Sequence, residues 1–385
     1  MRYAVTSDVH LGHHNTPTTH VIASFKRHIL TEQNKTIDVL FISGDLFDRL
    51  LDFNSKDVQV IITFINYLLG YCAENNILLR VLEGTPSHDW TQSQTLVKLN
   101  EIRDVKCDLR YHKALDIEYI ERIGKYVLYV PDEWTNSHDV LEKQIQEKLN
   151  EHGITKVDIA IMHGQFKYQF AGKPYHGFHF KEEYFLDLVR GFIHVGHYHN
   201  YTRLDRIVAN GSLERLSHGD EQPKGYVIVQ DDQYTFIENP SAYIYKTINV
   251  TAATTVERLD RQILKYPKDS HIRLSVSKDH PFNITFQELK LRYLDYHLKK
   301  QVKEHVSEDT ALTYIVSDAD LEIDGTFVLD SNIHQLLSET ILSKHSLNSV
   351  EKDKMDGYIS IFKNTADVQH QTTRRPSHRR GILSL

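Results

Sequence analysis

The sequence predicts an α/β domain in which short strands alternate with helices, followed by a smaller α+β unit. Five apolar runs of strand length are rich in β-branched or aromatic residues, at 3–6, 39–42, 77–82, 159–162 and 192–195. Between them, residues 58–71 and 141–149 carry apolar side chains at helical spacing. Strands that alternate with helices in this way are typical of a layered α/β domain.

All five runs end in residue types that bind divalent metals. The endings are Asp8-Val9-His10, Gly44-Asp45, Ser87-His88-Asp89, His163 and Gly196-His197-Tyr198-His199. Ligands gather at the carboxyl ends of strands in open α/β sheets, so we expect these residues to converge on one edge. Imidazoles and carboxylates without thiolates suit Mn²⁺, Fe²⁺ or Zn²⁺. Asp45 is the best bridge between two such ions, because a carboxylate has two oxygens and the preceding glycine lets the backbone bend.

A second pattern begins near Tyr243. It predicts strands at 245–250, 271–276 and 311–317, with helices at 255–265 and 286–300. Farther on, residues 332–342 place apolar side chains on one helical face, and the polar chain from Thr365 onward is expected to be disordered. We therefore expect a first domain over 1–235, the small unit over 240–320, a helical segment over 325–364 and a disordered tail over 365–385.

Composition limits the kind of protein that carries this site. Of the 385 residues, 40% are hydrophobic and 25% are charged, which is ordinary for a globular chain. The two cysteines, Cys72 and Cys107, suit a reducing compartment and exclude a disulfide framework or a cysteine-based zinc site. No apolar stretch approaches the length of a membrane span or a signal segment, so we expect a cytoplasmic protein without membrane attachment. The net charge of −7 does not favour nucleic-acid binding, but cations in the site would offset part of it.

The five endings, in this order, resemble the signature of the calcineurin-like metallophosphoesterases, which reads D-x-H, G-D-x-x-D, G-N-H-D, H and G-H-x-H. Within that superfamily the chain looks most like the SbcD-type nuclease subunits. The narrower resemblance depends on the segment 43–48, on the stretch 211–217 with its Gly-Ser-x-x-Arg pattern ending at Arg215, and on the position of the small unit. The resemblance is strong over residues 1 to about 230. Over residues 240 to 320 it depends only on the order of the predicted strands and helices.

The resemblance implies a β-sandwich flanked by helices, with a capping domain that binds DNA. It implies that Asp8, His10, Asp45 and His199 surround one metal and that Asp45, His163 and His197 surround the other, with Mn²⁺ expected first and Mg²⁺ as the alternative. His88 would be the general acid that protonates the leaving sugar oxygen, and Asp89 would orient its ring. Asp48 would act behind the ligands, and Arg215 would contact substrate or support the site. His13, just past the first ending, would either touch a phosphate or lie in a solvated loop.

The implied activity is exonuclease action on double-stranded DNA ends and endonuclease action on single strands or hairpins, in recombination, repair and replication. The implied partners are DNA, a second copy of the chain through the helix at 58–69, and an SbcC-like coiled-coil ATPase. The helix at 332–342 is the candidate dock for the ATPase; the alternative is that this helix packs on its own domain. A small-molecule phosphodiesterase or phosphatase and a catalytically weak scaffold of the same fold remain as alternatives.

One departure from the family pattern concerns the third ending. Where the family has Gly-Asn-His-Asp, this chain has Glu83-Gly84-Thr85-Pro86-Ser87-His88-Asp89. We expect Ser87 to take the place of the asparagine as a weaker ligand of the second metal, with Thr85-Pro86 lengthening the turn. The resemblance associates this variant with phage-encoded recombination nucleases.

Overall fold

The computed structural model describes residues 1–52, 54–132, 137–170 and 177–303. The chain divides into two compact units, Met1–Tyr314 and Ile315–Leu385, and the described residues belong to the first. The strand expected at 311–317, the helix at 332–342 and the segments 325–364 and 365–385 lie outside the described residues.

The elements alternate along the chain much as the apolar runs predict. The strands in the described residues are β1 (Arg2–Thr6), β2 (Val39–Ser43), β3 (Leu78–Leu82), β4 (Leu109–His112), β5 (Asp116–Ile120), β6 (Lys125–Val130), β7 (Ile159–His163), β8 (Ile193–Gly196), β9 (Thr202–Leu204), β10 (Ile207–Ala209), β11 (Gly225–Gln230), β12 (Gln233–Glu238), β13 (Tyr245–Asn249), β14 (His271–Ser277) and β15 (His297–Lys303). The α-helices there are α1 (Thr18–His28), α2 (Lys56–Glu74), α3 (Pro86–Asp89), α4 (Gln94–Glu101), α5 (His138–Glu151), α6 (Glu182–Leu188), α7 (Val256–Ile263) and α8 (Phe286–Arg292).

Two six-stranded mixed sheets pack face to face. Their strand orders are β12-β11-β1-β2-β3-β4 and β5-β6-β7-β8-β10-β9. Inward-facing side chains of both sheets, such as Phe41 and Ile161, share one core. Helices α1, α2 and α4 cover the outer face of the first sheet, and α5 and α6 cover that of the second. The predicted α/β domain with flanking helices is therefore confirmed.

Strand β2 shows why these runs are apolar throughout. Val39 and Phe41 face the core between the sheets, whereas Leu40 and Ile42 face the helices. Successive side chains of a strand point to opposite faces, so a strand covered on both sides needs apolar residues at every position. Full burial of a side chain such as Phe41 contributes roughly 1.5–3 kcal/mol.

A buried ion pair joins the two sheets at β3 and β5. Arg80 Nη2 lies 2.9 Å from Glu118 Oε1, and both side chains are 3% exposed. His112 Nε2 lies 3.5 Å from the other Glu118 oxygen. Burial by itself would raise the pKa of Glu118, but its contacts with His112 and Arg80 outweigh burial and lower the pKa to about 2. Glu118 therefore carries a buried charge that depends on its partners.

The third sheet, β13-β14-β15, is parallel throughout. Parallel neighbours need crossover connections, and α7 and α8 provide them. They pack on one face of this sheet in a core of its own. The small unit is therefore α/β in arrangement, and the prediction of an α+β unit was wrong on this point.

The helix predicted at 286–300 was wrong in its second half. Helix α8 ends at Arg292, and the chain then forms β15. Leu298 pairs with Ile272 of β14 and is only 5% exposed. Pairing with β14 and burial of Leu298 outweigh the helical preference of a lysine-rich segment, because propensity is a weak prior against tertiary contacts.

Within the described residues no helix is both long enough and apolar enough to cross a bilayer. Cys72 and Cys107 are buried free thiols.

Candidate metal centre

The predicted ligands lie at or just beyond the carboxyl ends of β1, β2, β3, β7 and β8. The first two loops run side by side: Asp8 N–H donates to Gly44 O at 3.1 Å, and His10 N–H donates to Asp45 O at 3.1 Å. Asp8, His10, Asp45 and His197 all have positive φ angles, of 51°, 51°, 50° and 90°. This region is uncommon for residues other than glycine, and such strain concentrates at functional sites.

Asp8, His10 and His199 form the first cluster, in which one ligand atom from each lies within 4.8 Å of the others. The Nε2 atoms of His10 and His199 are 3.2 Å apart, and His199 Nε2 is 3.9 Å from Asp8 Oδ1. Asp8 Oδ2 is buried and has no hydrogen-bond partner in the described part of the chain. A buried carboxylate oxygen without a partner is costly, and a cation among these three residues would satisfy it.

Asp45, His163 and His197 form the second cluster, with ligand atoms within the same 4.8 Å limit. Asp45 Oδ1 lies 3.2 Å from His163 Nε2. Its other oxygen, Oδ2, lies 3.8 Å from His10 Nε2 of the first cluster. Asp45 therefore faces both clusters, which is the position that a bridging carboxylate needs.

Charges in the two clusters favour a cation. Burial would lower the pKa of His163, but the Asp45 carboxylate raises it to about 10. Burial would also lower the pKa of His199, but Asp220 raises it to about 9. The carboxylates thus stabilise positive charge on the imidazoles, and divalent ions could supply that charge instead. The donor set of imidazoles and carboxylates fits two such ions.

Three of the imidazoles are oriented through Nδ1, which leaves Nε2 facing the clusters. The Nδ1 contacts are His163 to Ser43 O at 2.8 Å, His10 to Asp48 Oδ1 at 3.1 Å, and His199 to Asp220 Oδ2 at 3.3 Å. Partners of this kind fix the tautomer and ring orientation of a metal ligand. Asp48 therefore lies behind the His10 ring, in contact with its Nδ1.

Sequence reasoning missed two buried residues that support His199. Asp220 lies 21 residues after His199, and no local pattern marks it. Lys224 donates from Nζ to His199 O at 2.7 Å and lies 3.9 Å from Asp220 Oδ1, with a side chain that is 0% exposed. Burial lowers the pKa of Lys224 to about 8. Together they fix both the ring and the backbone of His199.

His88 borders the first cluster, and one of its ring nitrogens lies within 4.8 Å of ligand atoms of His10 and Asp45. The rings of His88 and His10 meet edge to face at 4.9 Å between centroids. His88 Nδ1 lies 2.6 Å from Asp48 O. Asp48 therefore positions two imidazoles, one through its carboxylate and one through its backbone carbonyl.

The structure contradicts the expectation that Asp89 orients the His88 ring. Both oxygens of this buried carboxylate accept backbone hydrogen bonds, from Asp45 N–H at 3.1 Å, Phe47 N–H at 2.9 Å and Gly84 N–H at 2.7 Å. Asp89 thus ties the loop after β2 to the loop after β3. Its part in the site is to hold Asp45 in place.

Thr85, rather than Ser87, contacts the second cluster. Thr85 Oγ1 lies 3.3 Å from Asp45 Oδ2, 3.3 Å from His163 Nε2 and 3.2 Å from His197 Nδ1. Thr85 N–H also donates to Asp45 Oδ1 at 2.6 Å. The Thr85 hydroxyl thus stands where we expected that of Ser87.

The expected ligand Ser87 is exposed to solvent, which corrects the sequence prediction. The reason is local: Pro86 occupies the first position of the one-turn helix α3, which suits proline, and this helix carries Ser87 away from the cluster. The two extra residues of the turn are therefore Pro86 and Ser87, and Thr85 directly follows Gly84 as the asparagine does in the family pattern.

Two other predicted residues have structural contacts. His13 Nδ1 accepts a hydrogen bond from Thr16 N–H at 3.0 Å, and burial lowers the pKa of His13 to about 4. His13 therefore shapes the loop beside the site. The Arg215 guanidinium donates to Ala242 O at 3.1 Å and to Tyr243 O at 3.4 Å, so the structure places it at the connection to the third sheet rather than in the clusters.

Glycines allow the loops to approach each other. A Cβ atom on Gly84 would lie 2.1 Å from Asp45 N and 2.2 Å from Asp45 Oδ1. A Cβ atom on Gly44, which has a φ of +82°, would lie 2.1 Å from His163 Nδ1. Both positions therefore require the smallest residue.

No family model and no curated protein matches this chain. Among solved structures, that of TT1561 from Thermus thermophilus is 10% identical, aligns over 62% of this chain and 98% of its own, and has a TM-score of 0.39. A second solved chain is 12% identical, with the same two coverages and a TM-score of 0.40. Similarity at this level assigns neither a family nor an activity to the present chain.

Proposed function

We propose that this protein is a divalent-metal-dependent phosphodiesterase that cleaves DNA, a nuclease of the SbcD type among the calcineurin-like metallophosphoesterases. The observation that carries the proposal is the pair of histidine–aspartate clusters that Asp45 faces with its two oxygens, with His88 beside them. Asp8, His10, Asp45 and His199 would hold one ion, and Asp45, His163 and His197 the other, with Thr85 beside the second. Two divalent ions, Mn²⁺ or alternatively Mg²⁺, would lower the pKa of an attacking water and neutralise phosphate charge.

His88 is the proposed proton donor to the leaving sugar oxygen. Its Nδ1–H can donate to Asp48 O whether the ring is neutral or protonated, so the transferable proton resides on Nε2. An alkoxide leaving group needs such a proton even where cations stabilise the attacking water. Asp48 fixes the positions of the His88 and His10 rings relative to each other, because it contacts both rings.

One face of the third sheet carries cationic side chains, which favours a polyanionic substrate despite the net charge of −7. Helices α7 and α8 cover one face of this sheet, and the other face carries polar and cationic side chains in register. Thr247, Arg273 and Lys299 form one row across the three strands, and Lys303 follows farther along β15. Lysine and arginine side chains that contact phosphates supply most of the non-specific affinity of proteins for DNA.

The proposed partners follow from the resemblance. A second copy of the chain would pack on α2, where Val60 and Tyr67 are 36% and 46% exposed. An SbcC-like coiled-coil ATPase would dock on the segment 332–342, outside the described residues. We also propose a cytoplasmic location, which the two reduced cysteines suit.

The deciding experiment compares His88→Ala with the exposed control His152→Ala in assays on single-stranded and duplex DNA with Mn²⁺. We expect His88→Ala to lose cleavage by about 10²–10⁴-fold and to retain Mn²⁺ by elemental analysis, because removal of a general acid costs that much. Full cleavage by His88→Ala would remove His88 from the mechanism. Hydrolysis of nucleotide esters without action on DNA would indicate a small-molecule phosphodiesterase, and a protein with neither metal nor activity would indicate a scaffold.

A further inference from the structure

Trp90 is a large aromatic side chain that is left in solvent beside the candidate metal centre. It is 54% exposed and follows His88 by two residues. Because consecutive Cα atoms are about 3.8 Å apart, the two Cα atoms lie within about 8 Å of each other. The His88 ring is itself 4.9 Å from the His10 ring of the first cluster. Trp90 therefore lies on the short loop that carries His88, next to the candidate metal centre.

The backbone that presents Trp90 is strained. Trp90 has a φ of 46° and Thr91 a φ of 57°, both in the left-handed region. This region is rare for bulky or β-branched residues. Hydrogen bonds hold the loop there, from Trp90 N–H to Pro86 O at 3.2 Å and from Thr91 N–H to Glu83 Oε1 at 2.7 Å. Strain that the surroundings impose in this way is typical of ligand-binding segments.

The indole ring is also fixed in orientation. Its Nε1–H donates to Ser87 O at 2.6 Å. Behind the loop, the Gln92 side chain donates to Arg49 O at 2.9 Å and accepts from Leu51 N–H at 2.8 Å. Isolated exposed aromatic residues are ordinary, but this ring is held by a hydrogen bond on a braced loop while half of its surface faces solvent. A ring fixed in advance loses little side-chain entropy when a ligand stacks on it.

We propose that Trp90 is a stacking platform for a nucleobase next to the scissile phosphate, an inference that rests on the proposed nuclease function. Every base has a π face, so stacking on an aromatic side chain binds single strands without reading sequence. The only polar group of the indole is already committed to Ser87 O, so Trp90 has no donor left for the edge of a base. A base inside a duplex is stacked on both sides. The platform therefore selects unpaired or terminal bases.

The test compares cleavage of a single-stranded oligonucleotide with cleavage of the same strand carrying an abasic site next to the cleaved bond. We expect Trp90→Ala to lower kcat/KM on the intact strand by about 5- to 150-fold, the range expected for one stacked base. Trp90→Phe should retain most of the rate. On the abasic strand wild type and Trp90→Ala should cleave about equally, because the stacking partner is gone. Tyr119→Ala removes another exposed aromatic ring, 47% exposed on β5, and should change neither rate.

Equal activity of wild type and Trp90→Ala on the intact strand would overturn the proposal, as would the same loss on both strands. Melting temperatures show whether Trp90→Ala is folded. If it is not, the cleavage rate of Trp90→Phe and the quenching of Trp90 fluorescence by the oligonucleotide test the proposal instead. The sequence has two tryptophans, so a Trp134→Phe protein reports Trp90 emission alone. Quenching by the oligonucleotide without cleavage would show that Trp90 stacks on bases but would refute the nuclease. Cleavage without quenching would refute the platform and leave the nuclease standing.

Discussion

The contact between Asp220 and His199 predicts a selective change in metal affinity. Asp220 Oδ2 lies 3.3 Å from His199 Nδ1 and also accepts from Leu216 N–H at 3.3 Å. Loss of a partner behind a metal ligand typically costs 10–100-fold in affinity. Asp220→Asn keeps an oxygen for both contacts and removes only the charge, so we expect about a 10-fold loss, or about 1.4 kcal/mol.

Asp220→Ala should have the larger effect. It removes the acceptor of His199 and leaves the fully buried Lys224 without the carboxylate 3.9 Å away. We therefore expect a loss near 100-fold, or about 2.8 kcal/mol. Asp231→Asn is the matched control, because this aspartate has a side chain that is 74% exposed and pairs with the amino terminus instead.

Calorimetric titration with Mn²⁺ measures the two sites separately if their affinities differ, and electron paramagnetic resonance of free Mn²⁺ checks the stoichiometry. Only the site of Asp8, His10 and His199 should weaken in the Asp220 variants. Unchanged affinity at both sites, or an equal loss at both, would show that Asp220 does not act through His199. Thermal unfolding of the metal-free proteins separates these outcomes from general damage to the fold.

Two further predictions concern the backbone and the pH dependence. Gly84→Ala should abolish Mn²⁺ binding, since the new Cβ would lie 2.2 Å from Asp45 Oδ1, whereas Gly219→Ala, whose nearest neighbour would be 3.4 Å away, should bind normally in the same titration. Glu118→Gln should lower the free energy of unfolding at pH 7 by about 3 kcal/mol, because the pKa of Glu118 falls from 4.5 to about 2 on folding. Urea denaturation measures this change. A depressed pKa stabilises the fold above about pH 4.5, and this contribution disappears as the pH falls toward 2. The variant should therefore lack that part of the acid-induced loss, and an identical pH profile for both proteins would contradict the assignment.

The strands and the edge where the candidate ligands converge were predictable because both depend on local patterns. The run at 39–42 is apolar on both faces, which a strand covered on both sides requires. The secondary structure of the small unit was harder to predict from sequence. Residues 286–303 contain leucines and lysines that suit a helix, and only the neighbouring β14 makes the second half a strand.

Within the site, too, local sequence patterns do not reveal contacts that only the fold creates. Asp220 and Lys224 carry no signal near His199, since the fold alone brings them there. The insertion before His88 could be placed on either side of Thr85 from sequence, and the proline-initiated turn of α3 decides between them. The resemblance implied that Asp89 orients the His88 ring, but backbone N–H groups satisfy this buried carboxylate, and no sequence pattern displays them.

Local rules fail most clearly where the proposed chemistry would occur. Asp8, His10, Asp45 and Trp90 all have positive φ angles, although none is a glycine. Asp8 also keeps a buried oxygen without a partner among the described residues. A sequence under selection for stability alone would remove such conflicts, because consistent local preferences favour folding. These departures around the two clusters and the exposed ring favour the proposal that the loops after β1, β2 and β3 are shaped for ligands.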